Sequence, residues 1–435
     1  MKSVALHNLG CKVNGYEMDV MQQTLQENGY KIVSFDEVAD VYIVNTCTVT
    51  NIADRKSRQM LHRARRLNPD AVVVAVGCYV QVEGEAVWKD DAVDLAIGNN
   101  RKKDLVSILE NHFNNKKFEK TIIDINHTDE YEQMMLTRTA EHTRAYIKIQ
   151  DGCNQFCSYC IIPYARGRVR SRREEDILRE VRGIVEAGYQ EIVLTGIHIS
   201  SYGLDRGGSE LLMLLSALHE IEGLKRIRLG SLEPRIVTGE FVARISDMPK
   251  ICPHFHLSLQ SGCDSVLSRM NRRYTSGEYF RTTEILRKYY PNPAITTDVI
   301  VGFPGETEEE FRVTQQFVQD VRFYEMHIFK YSKRQGTRAA VMDGQLTEAE
   351  KSRRSAVLAE VERQMSHAYR TSFIGAETEI LFEEKKKIAG KTYWVGHTPQ
   401  YVKTAKEAEE SCDLKNKIVR GTIIGFLVDD IMILK

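Results

Sequence analysis

Short apolar runs alternate with helix-spaced apolar positions over roughly the first 110 residues. Val4-Ala-Leu6 leads to a turn at Gly10-Cys11, Val41-Tyr-Ile-Val44 to Asn45-Thr-Cys47, and Ala71-Val-Val-Val-Ala-Val76 to Gly77-Cys78. Between these runs, residues 17–28 and 54–67 place apolar side chains at helical spacing. Continuous apolar strands are buried on both faces, and strands joined through helices run parallel, so the pattern predicts a parallel α/β domain over 1–110. Residues 111–143 lose the periodicity and read as a polar linker. A strand–helix unit then recurs six times from 144 to 346, with strands at 146–149, 191–195, 225–229, 254–259, 294–301 and 325–331. Helices are expected near 174–188, 209–222, 238–247, 276–289 and 308–320. Six units where a closed barrel has eight predict a partial (β/α)6 barrel with its chemistry at the C-terminal strand ends.

Two capping boxes set helix starts, Thr307 with Glu310 after the Gly302-Phe-Pro-Gly-Glu306 loop, and Thr347 with Glu350 at the head of a long helix over 347–372. The tail then changes to short strands at 378–382, 392–397, 401–404, 417–424 and 425–434, the pattern of a small OB-like all-β barrel. Such barrels often hold single-stranded nucleic acid, with a plain stability cap as the alternative. The chain thus reads as α/β overall, with domains at 1–110, 144–370 and 371–435 and a linker at 111–143.

Composition narrows the classes. At 435 residues the chain needs more than one core, and 60 basic against 60 acidic residues leave no global field for an acidic partner, so nucleic-acid contact has to come from local patches. The start Met-Lys-Ser-Val-Ala-Leu-His-Asn turns polar too soon for a signal peptide, and no apolar run approaches the ~20 residues that cross a bilayer. Nine cysteines, an odd number, point to a reducing cytoplasm with no membrane partner.

The cysteines change the picture most. Cys153, Cys157 and Cys160 form a C-x3-C-x2-C set after the first strand of the central repeat. Three thiolates so spaced can hold three irons of a [4Fe–4S] cluster and leave the fourth iron open to chelate S-adenosylmethionine (SAM). A zinc knuckle short of one ligand, or a run of buried thiols, is the competing reading. Cys11, Cys47 and Cys78 follow three successive strands, at the sheet edge where ligands of parallel sheets bind, and suggest a second three-cysteine site. Two basic runs lie near these cysteines, one carrying Arg55 and Arg58, the other Arg166, Arg168 and Arg170; both are candidate nucleic-acid phosphate contacts, with a solvated helix face as the alternative. Cys252, Cys263 and Cys412 lack partners at metal spacing, and His198 reads as structural.

Taken together, Gly10-Cys11-Lys-Val-Asn14, Asn45-Thr-Cys47-Thr-Val-Thr50, Gly77-Cys78, the segment Asp151-Gly-Cys-Asn-Gln-Phe-Cys-Ser-Tyr-Cys-Ile-Ile-Pro-Tyr-Ala-Arg-Gly167, Leu259-Gln-Ser-Gly262 and Asp298-Val-Ile-Val-Gly-Phe-Pro-Gly-Glu-Thr307 resemble the radical-SAM methylthiotransferases over nearly the whole chain. The resemblance implies an N-terminal methylthiotransferase domain, a radical-SAM partial barrel and a C-terminal TRAM domain that holds tRNA. It implies two [4Fe–4S] clusters and SAM, with catalytic cysteines Cys153, Cys157 and Cys160. Metal ligation would extend to Cys11, Cys47 and Cys78. It suggests cofactor contacts at Tyr159, Gly196, Gln260, Ser261, Gly262, Gly302, Gly305 and Glu306; packing, or a plain turn, is the alternative at several of these.

Cys11-Lys12-Val13-Asn14 looks like the branch acting on N6-threonylcarbamoyladenosine at position 37, in the tRNA anticodon loop. The implied partners are that tRNA, an electron donor of flavodoxin or ferredoxin type, and a sulfur donor. The same chemistry on isopentenyladenosine or on a ribosomal-protein aspartate is the near alternative. A non-catalytic Fe–S RNA-binding protein is the remote one.

Overall fold

A computed structural model describes every residue except 116–119, 138–142 and 410–411. In the N-terminal region β1 (Ser3–Asn8), β2 (Lys31–Val33), β3 (Val41–Thr46), β4 (Val72–Gly77), β5 (Leu95–Ile97) and β6 (Lys120–Thr121) form a parallel sheet in the order β2-β1-β3-β4-β5-β6. The expected strands are all present. The short β2, β5 and β6 escaped the pattern because two or three residues carry too little alternation to detect. β6 lies inside the stretch read as linker. The Leu105–Asn115 helix leads into that stretch, and Met134 and Leu136 beyond it are buried in the main core. Part of the linker assignment also falls on 116–119 and 138–142, outside the described residues.

The central region contains β7 (Arg144–Asp151), β8 (Arg170–Ser171), β9 (Glu191–Gly196), β10 (Arg226–Leu229), β11 (His254–His256), β12 (Ala294–Val301) and β13 (Glu325–Lys330). Six of these strands run parallel in the order β7-β9-β10-β11-β12-β13, while β8 pairs antiparallel to β7 at the edge. Only single bridges, Ile227 to Ile251 and Leu232 to Leu257, join β10 to β11, so the sheet curls there into the expected partial barrel. Thr307 and Glu310 make the full capping box. At Thr347 only half forms: its hydroxyl accepts from Glu350 N, but the Glu350 carboxylate turns to Arg353 and Arg354.

The helix Lys12–Glu27 packs its Tyr16, Met18 and Val20 into the same core as Ala145 and Ile147 of β7, so the first two regions share one interior. At the C-terminus β14 (Glu377–Ile388), β15 (Lys391–His397), β16 (Lys403–Glu407), β17 (Ile418–Val428) and β18 (Ile431–Leu434) close into a barrel. The turn expected at 424–425 is absent. β17 runs through Gly425, and the register shift beside it shows that this glycine marks a bulge.

This barrel docks under the N-terminal ends of the central strands. Arg226 donates to Glu379 and to His397 O, Arg228 donates to Pro399 O, and Arg144 pairs with Glu383 at 3.2 Å. Tyr401 stacks between His254 (5.0 Å) and His397 (4.4 Å), with the Arg144 and Arg228 guanidiniums 4.9 and 4.8 Å from its ring. It closes the lower end of the partial barrel. Among the described residues no helix is long and apolar enough to cross a membrane.

Candidate active site

The strand β7 delivers Cys153 through Gly152, which has φ +72°; a Cβ there would lie 1.8 Å from Arg168 O, so only glycine fits. Cys153 N donates to Gly167 O at 3.0 Å and Cys160 N to Cys157 O at 3.0 Å, closing residues 153–167 into a compact loop. All three of its cysteines line a cavity of about 300 Å³ at the C-terminal ends of the barrel strands. Arg272 Nη1 donates to Cys157 Sγ at 3.2 Å. Burial, with the neighbouring Cys157 adding repulsion, pushes the Cys153 thiol up to about 11 and Cys160 to about 12. Three thiolates together therefore need a cationic partner.

Cys11, Cys47 and Cys78 also converge. Gly10, at φ +108°, turns so close to Cys47 that a Cβ would lie 3.1 Å from its Sγ. Asn14 Nδ2 donates to Leu9 O and to Thr46 O at 2.7 and 3.1 Å, tying the Cys11 turn to the end of β3. Cys78 Sγ accepts from Arg166 Nε at 3.3 Å and from Asn99 Nδ2 at 3.5 Å. Burial first, then the charges of Cys78 and Cys11, raise Cys47 to about 11. A single ion bound at ~2.3 Å would hold its ligand sulfurs within about twice that distance. Among the described residues the one group of potential ligands gathered within 4.8 Å is His256, Asp298 and His327, so each cysteine set suits a larger group such as an iron–sulfur cluster.

The loop that carries Cys47 borders the space onto which the Cys153 set opens. Val49 and Thr50, just past Cys47, line the same cavity as Cys153, Cys157 and Cys160. Arg334 holds this apposition: its buried guanidinium donates to Asp54 at 2.5 Å, Asn51 at 2.6 Å and Thr48 at 2.8 Å. Below it, Arg166 donates to Glu17, Asn14 and Asp151 as well as to Cys78. Lys102 and Lys148 each reach Glu17 at 2.7 Å. Four buried cations, Lys102, Lys148, Arg166 and Arg170, thus face Glu17 and Asp151, with the buried carboxyl group of Glu132 in the field of the two lysines. Glu17 and Asp151 are held below the usual range: burial opposes ionisation, and Arg166 and Lys102 at Glu17, and Lys148 at Asp151, outweigh it. The positive surplus suits anionic thiolates at Cys78 and beside it.

This burial corrects one expectation. Arg166 and Arg170 are fully buried and cannot contact RNA; Arg170 donates to Arg166 O and Arg168 O and braces the loop. Arg168 stays exposed, 4.5 Å from the Phe156 ring, as do Arg55 and Arg58 on the Asn51–Leu67 helix, where Arg58 bonds Tyr79 Oη. A run of arginines does not reveal which members fold inward.

Of the expected cofactor residues, Tyr159 and Gln260 line the cavity, Gln260 in a left-handed conformation at φ +71°. Gly196 backs it, where a Cβ would press on Gln150 and Ile199 at 3.0 Å. Ser261 bonds Thr314, and a Cβ on Gly262 would strike Phe317 at 2.7 Å. The Gly302–Glu306 loop also faces away from the cavity, a departure from the expectation. A Cβ on Gly302 would meet Lys351 at 2.4 Å, Gly305 N bonds Gly344 O, and Glu306 bonds Gly302 N and Arg354. These residues shape the turn from behind.

His198, read as structural, instead lines the cavity with Glu233, 3.4 Å from it. Glu233, Arg272 and Asp298 line it too. Glu233 follows β10, so the strand-end rule applied to every strand would have found it. Arg272 and Arg334 carried no sequence signal.

Residues 147–318 match the radical SAM superfamily, and residues 3–98 match uncharacterized protein family UPF0004. The chain is 40% identical to the threonylcarbamoyladenosine tRNA methylthiotransferase MtaB of Bacillus subtilis (strain 168), over 98% of this chain and 94% of that one. The MtaB of Aquifex aeolicus is 40% identical over 90% of this chain and 95% of its own. The tRNA-2-methylthio-N(6)-dimethylallyladenosine synthase of Moorella thermoacetica is 38% identical over 89% and 88%. In fold, the chain resembles the radical S-adenosylmethionine methyltransferase TsrM of Kitasatospora setae, with TM-score 0.59, 16% identity, and coverage of 78% of this chain and 74% of that one.

Proposed function

The chain belongs to the radical-SAM methylthiotransferase family, and on that premise we propose that it converts N6-threonylcarbamoyladenosine at position 37 of tRNA to its 2-methylthio derivative. One observation carries the reading: the loop after Cys47 and the Cys153–Cys160 loop line one cavity, so a substrate carbon there would lie against the Cys153 set and the loop that follows Cys47. Cys153, Cys157 and Cys160 would hold the cluster that binds SAM, and Cys11, Cys47 and Cys78 a second [4Fe–4S] cluster. When bound, the clusters and SAM supply the radical that takes hydrogen from adenine carbon 2 and the sulfur and methyl that replace it.

The protein's own part is placement and charge. Arg334 fixes the Cys47 loop over the barrel mouth, Arg272 and Arg166 donate to one sulfur of each set, and donors of this kind tune cluster potentials. Tyr159 and Gln260, which line the cavity beside the Cys153 set, would contact SAM, with Gly196 behind them.

The exposed Arg55, Arg58 and Arg168 and the lysines of β14 would take tRNA phosphates, the C-terminal barrel acting as a TRAM-type holder of the anticodon arm. Such a substrate puts the reaction in the cytoplasm, with a flavodoxin- or ferredoxin-type reductant and a sulfur donor completing the cycle. Nucleoside mass spectrometry of tRNA from cells with and without the gene tests this. Loss of 2-methylthio-threonylcarbamoyladenosine with accumulation of its precursor is the expected result. Loss of the dimethylallyl product instead would assign the other branch.

A further inference from the structure

Exposure grades along the cavity lined by Cys153, Cys157 and Cys160. Gln260 is buried and Tyr159 half-buried, whereas Val49 and Phe329 are 50% and 46% exposed. Among the described residues these two are the large exposed apolar side chains that line it, so they mark its mouth.

Phe329 is not a stray surface residue. Alternate residues of a strand share a face. On β13, Met326 and Ile328 pack into the main core together with Val357, Leu358 and Val361 of the Glu348–Thr371 helix. His327 and Phe329 therefore point the other way, into the partial barrel. The register sets Phe329 beside Ile300 of β12, which lines the same cavity. β13 ends its sheet, pairing with β12 alone. In a closed barrel a following strand would cover the ring; here six units leave that side open, and the ring faces the opening.

Val49 reaches the same opening from the N-terminal region. Asn51 N donates to Ser332 Oγ and Asn51 Nδ2 to Lys333 O, both at 3.1 Å. Val49 precedes Asn51 by two residues and Phe329 precedes Ser332 by three, so each backbone lies within about 10 Å of this join. The mouth is thus bordered by an aromatic ring from the barrel and an aliphatic side chain from the loop after Cys47.

We propose that Phe329 stacks on the base of the target adenosine as it is turned out of the anticodon loop, with Val49 bordering the base on the side of the Cys47 loop. The proposal rests on the functional reading above and deepens it by naming the residue that holds the base. A nucleobase offers an apolar face to an exposed ring, and stacking of this kind needs no hydrogen-bond partner. The RNA base arrives from outside and so meets the mouth, whereas Tyr159 and Gln260, given above to SAM, lie deeper. Stacking fixes the plane of the base and leaves its edge, with carbon 2, free to face the cysteine loop.

The test uses the reconstituted full-length enzyme and two anticodon stem-loops, one with N6-threonylcarbamoyladenosine at position 37 and one abasic there. Stacking of a base on an aromatic side chain contributes about 5- to 150-fold in affinity. Phe329→Ala should raise KM and Kd (by fluorescence anisotropy) for the first loop by a factor in that range. Its Kd for the abasic loop should stay within about twofold of wild type, since the partner of the ring is already gone. Phe329→Trp should restore binding of the first loop. The side chain is exposed, so melting temperature and iron content should not change; should Phe329→Ala lose iron, Phe329→Leu, closer in size, makes the same comparison. Equal losses on both loops, or none on either, overturn the proposal. So does a rise in KM for SAM without one for the RNA, which would give Phe329 to the cofactor. No methylthiolated product from wild type with the first loop overturns the functional reading itself, and this assignment with it.

Discussion

Replacing Arg166 with methionine removes the guanidinium that joins the scaffolds of the two cysteine sets. The side chain is fully buried and donates to Glu17 at 2.5 and 3.0 Å, Asn14 at 2.6 Å, Asp151 at 3.1 Å and Cys78 at 3.3 Å. Removing one member of a buried charge pair costs about 3–5 kcal/mol, because its partner is left uncompensated. Lys102 and Lys148 remain on Glu17 at 2.7 Å each, so the lower end applies, about 3 kcal/mol. At about 2–4 °C per kcal/mol for a cooperative unit of this size, melting should fall by about 6–12 °C.

Glu17→Gln should be worse, near 5 kcal/mol, since Lys102, Lys148 and Arg166 all lose their shared carboxylate and only Asp151, with Glu132 near the two lysines, remains. The double variant removes one charge of each sign and restores the original surplus. Its cost should therefore fall short of the sum of the single costs by about 1–3 kcal/mol. Anaerobic thermal unfolding of the four proteins, with iron content measured alongside, makes the comparison. An unchanged melting temperature in Arg166→Met, or strict additivity in the cycle, would refute the account of this network as one charge-balanced unit.

Three further outcomes are expected. Cys157→Ala should lose about half the iron and all cleavage of SAM to 5′-deoxyadenosine, whereas Cys47→Ala should lose iron to the same extent, retain cleavage, and form no methylthiolated nucleoside; product from Cys47→Ala would disprove the two-cluster reading. Arg334→Met frees the Asn51–Asp54 end of its tether and should raise the 5′-deoxyadenosine formed per methylthio product, which chromatography of a single reaction reads; an unchanged ratio would show the tether to be dispensable. His254 is kept neutral, its pKa well below 6.5, by burial and then by Arg228 and Lys12. The unfolded chain takes up a proton near pH 6.5 that the folded chain refuses, so stability should fall as pH drops below that value, by up to about 1.4 kcal/mol per unit; His254→Gln should flatten this slope in melts between pH 7 and 5.5.

Much of the site was legible because its chemistry is local. The C-x3-C-x2-C spacing sits within one loop, and the second set shows itself because each cysteine follows a strand of one parallel sheet. The illegible parts have equally specific causes. Gly302 and Glu306 form a ligand-like loop in sequence, yet the packing of Lys351 and Arg354 from the Glu348–Thr371 helix turns them to a structural task. Gly425 resembles a turn and is a bulge, because β17 must bend to close the barrel.

By itself, the sequence determined the alternation of strands and helices, the six cysteines and their grouping, and the family, because all of these depend on neighbours along the chain or on spacing. Tertiary structure alone decided which charges are buried. Arg166 and Arg170 belong to the same basic run as the exposed Arg168, and only the packing of the Lys12–Glu27 helix against β7 draws Arg166 to Glu17. Likewise, His256, Asp298 and His327 lie far apart in the chain and come together only because β11, β12 and β13 pair side by side. Desolvation and charge balance are properties of the whole enclosing volume, and no local spacing records them.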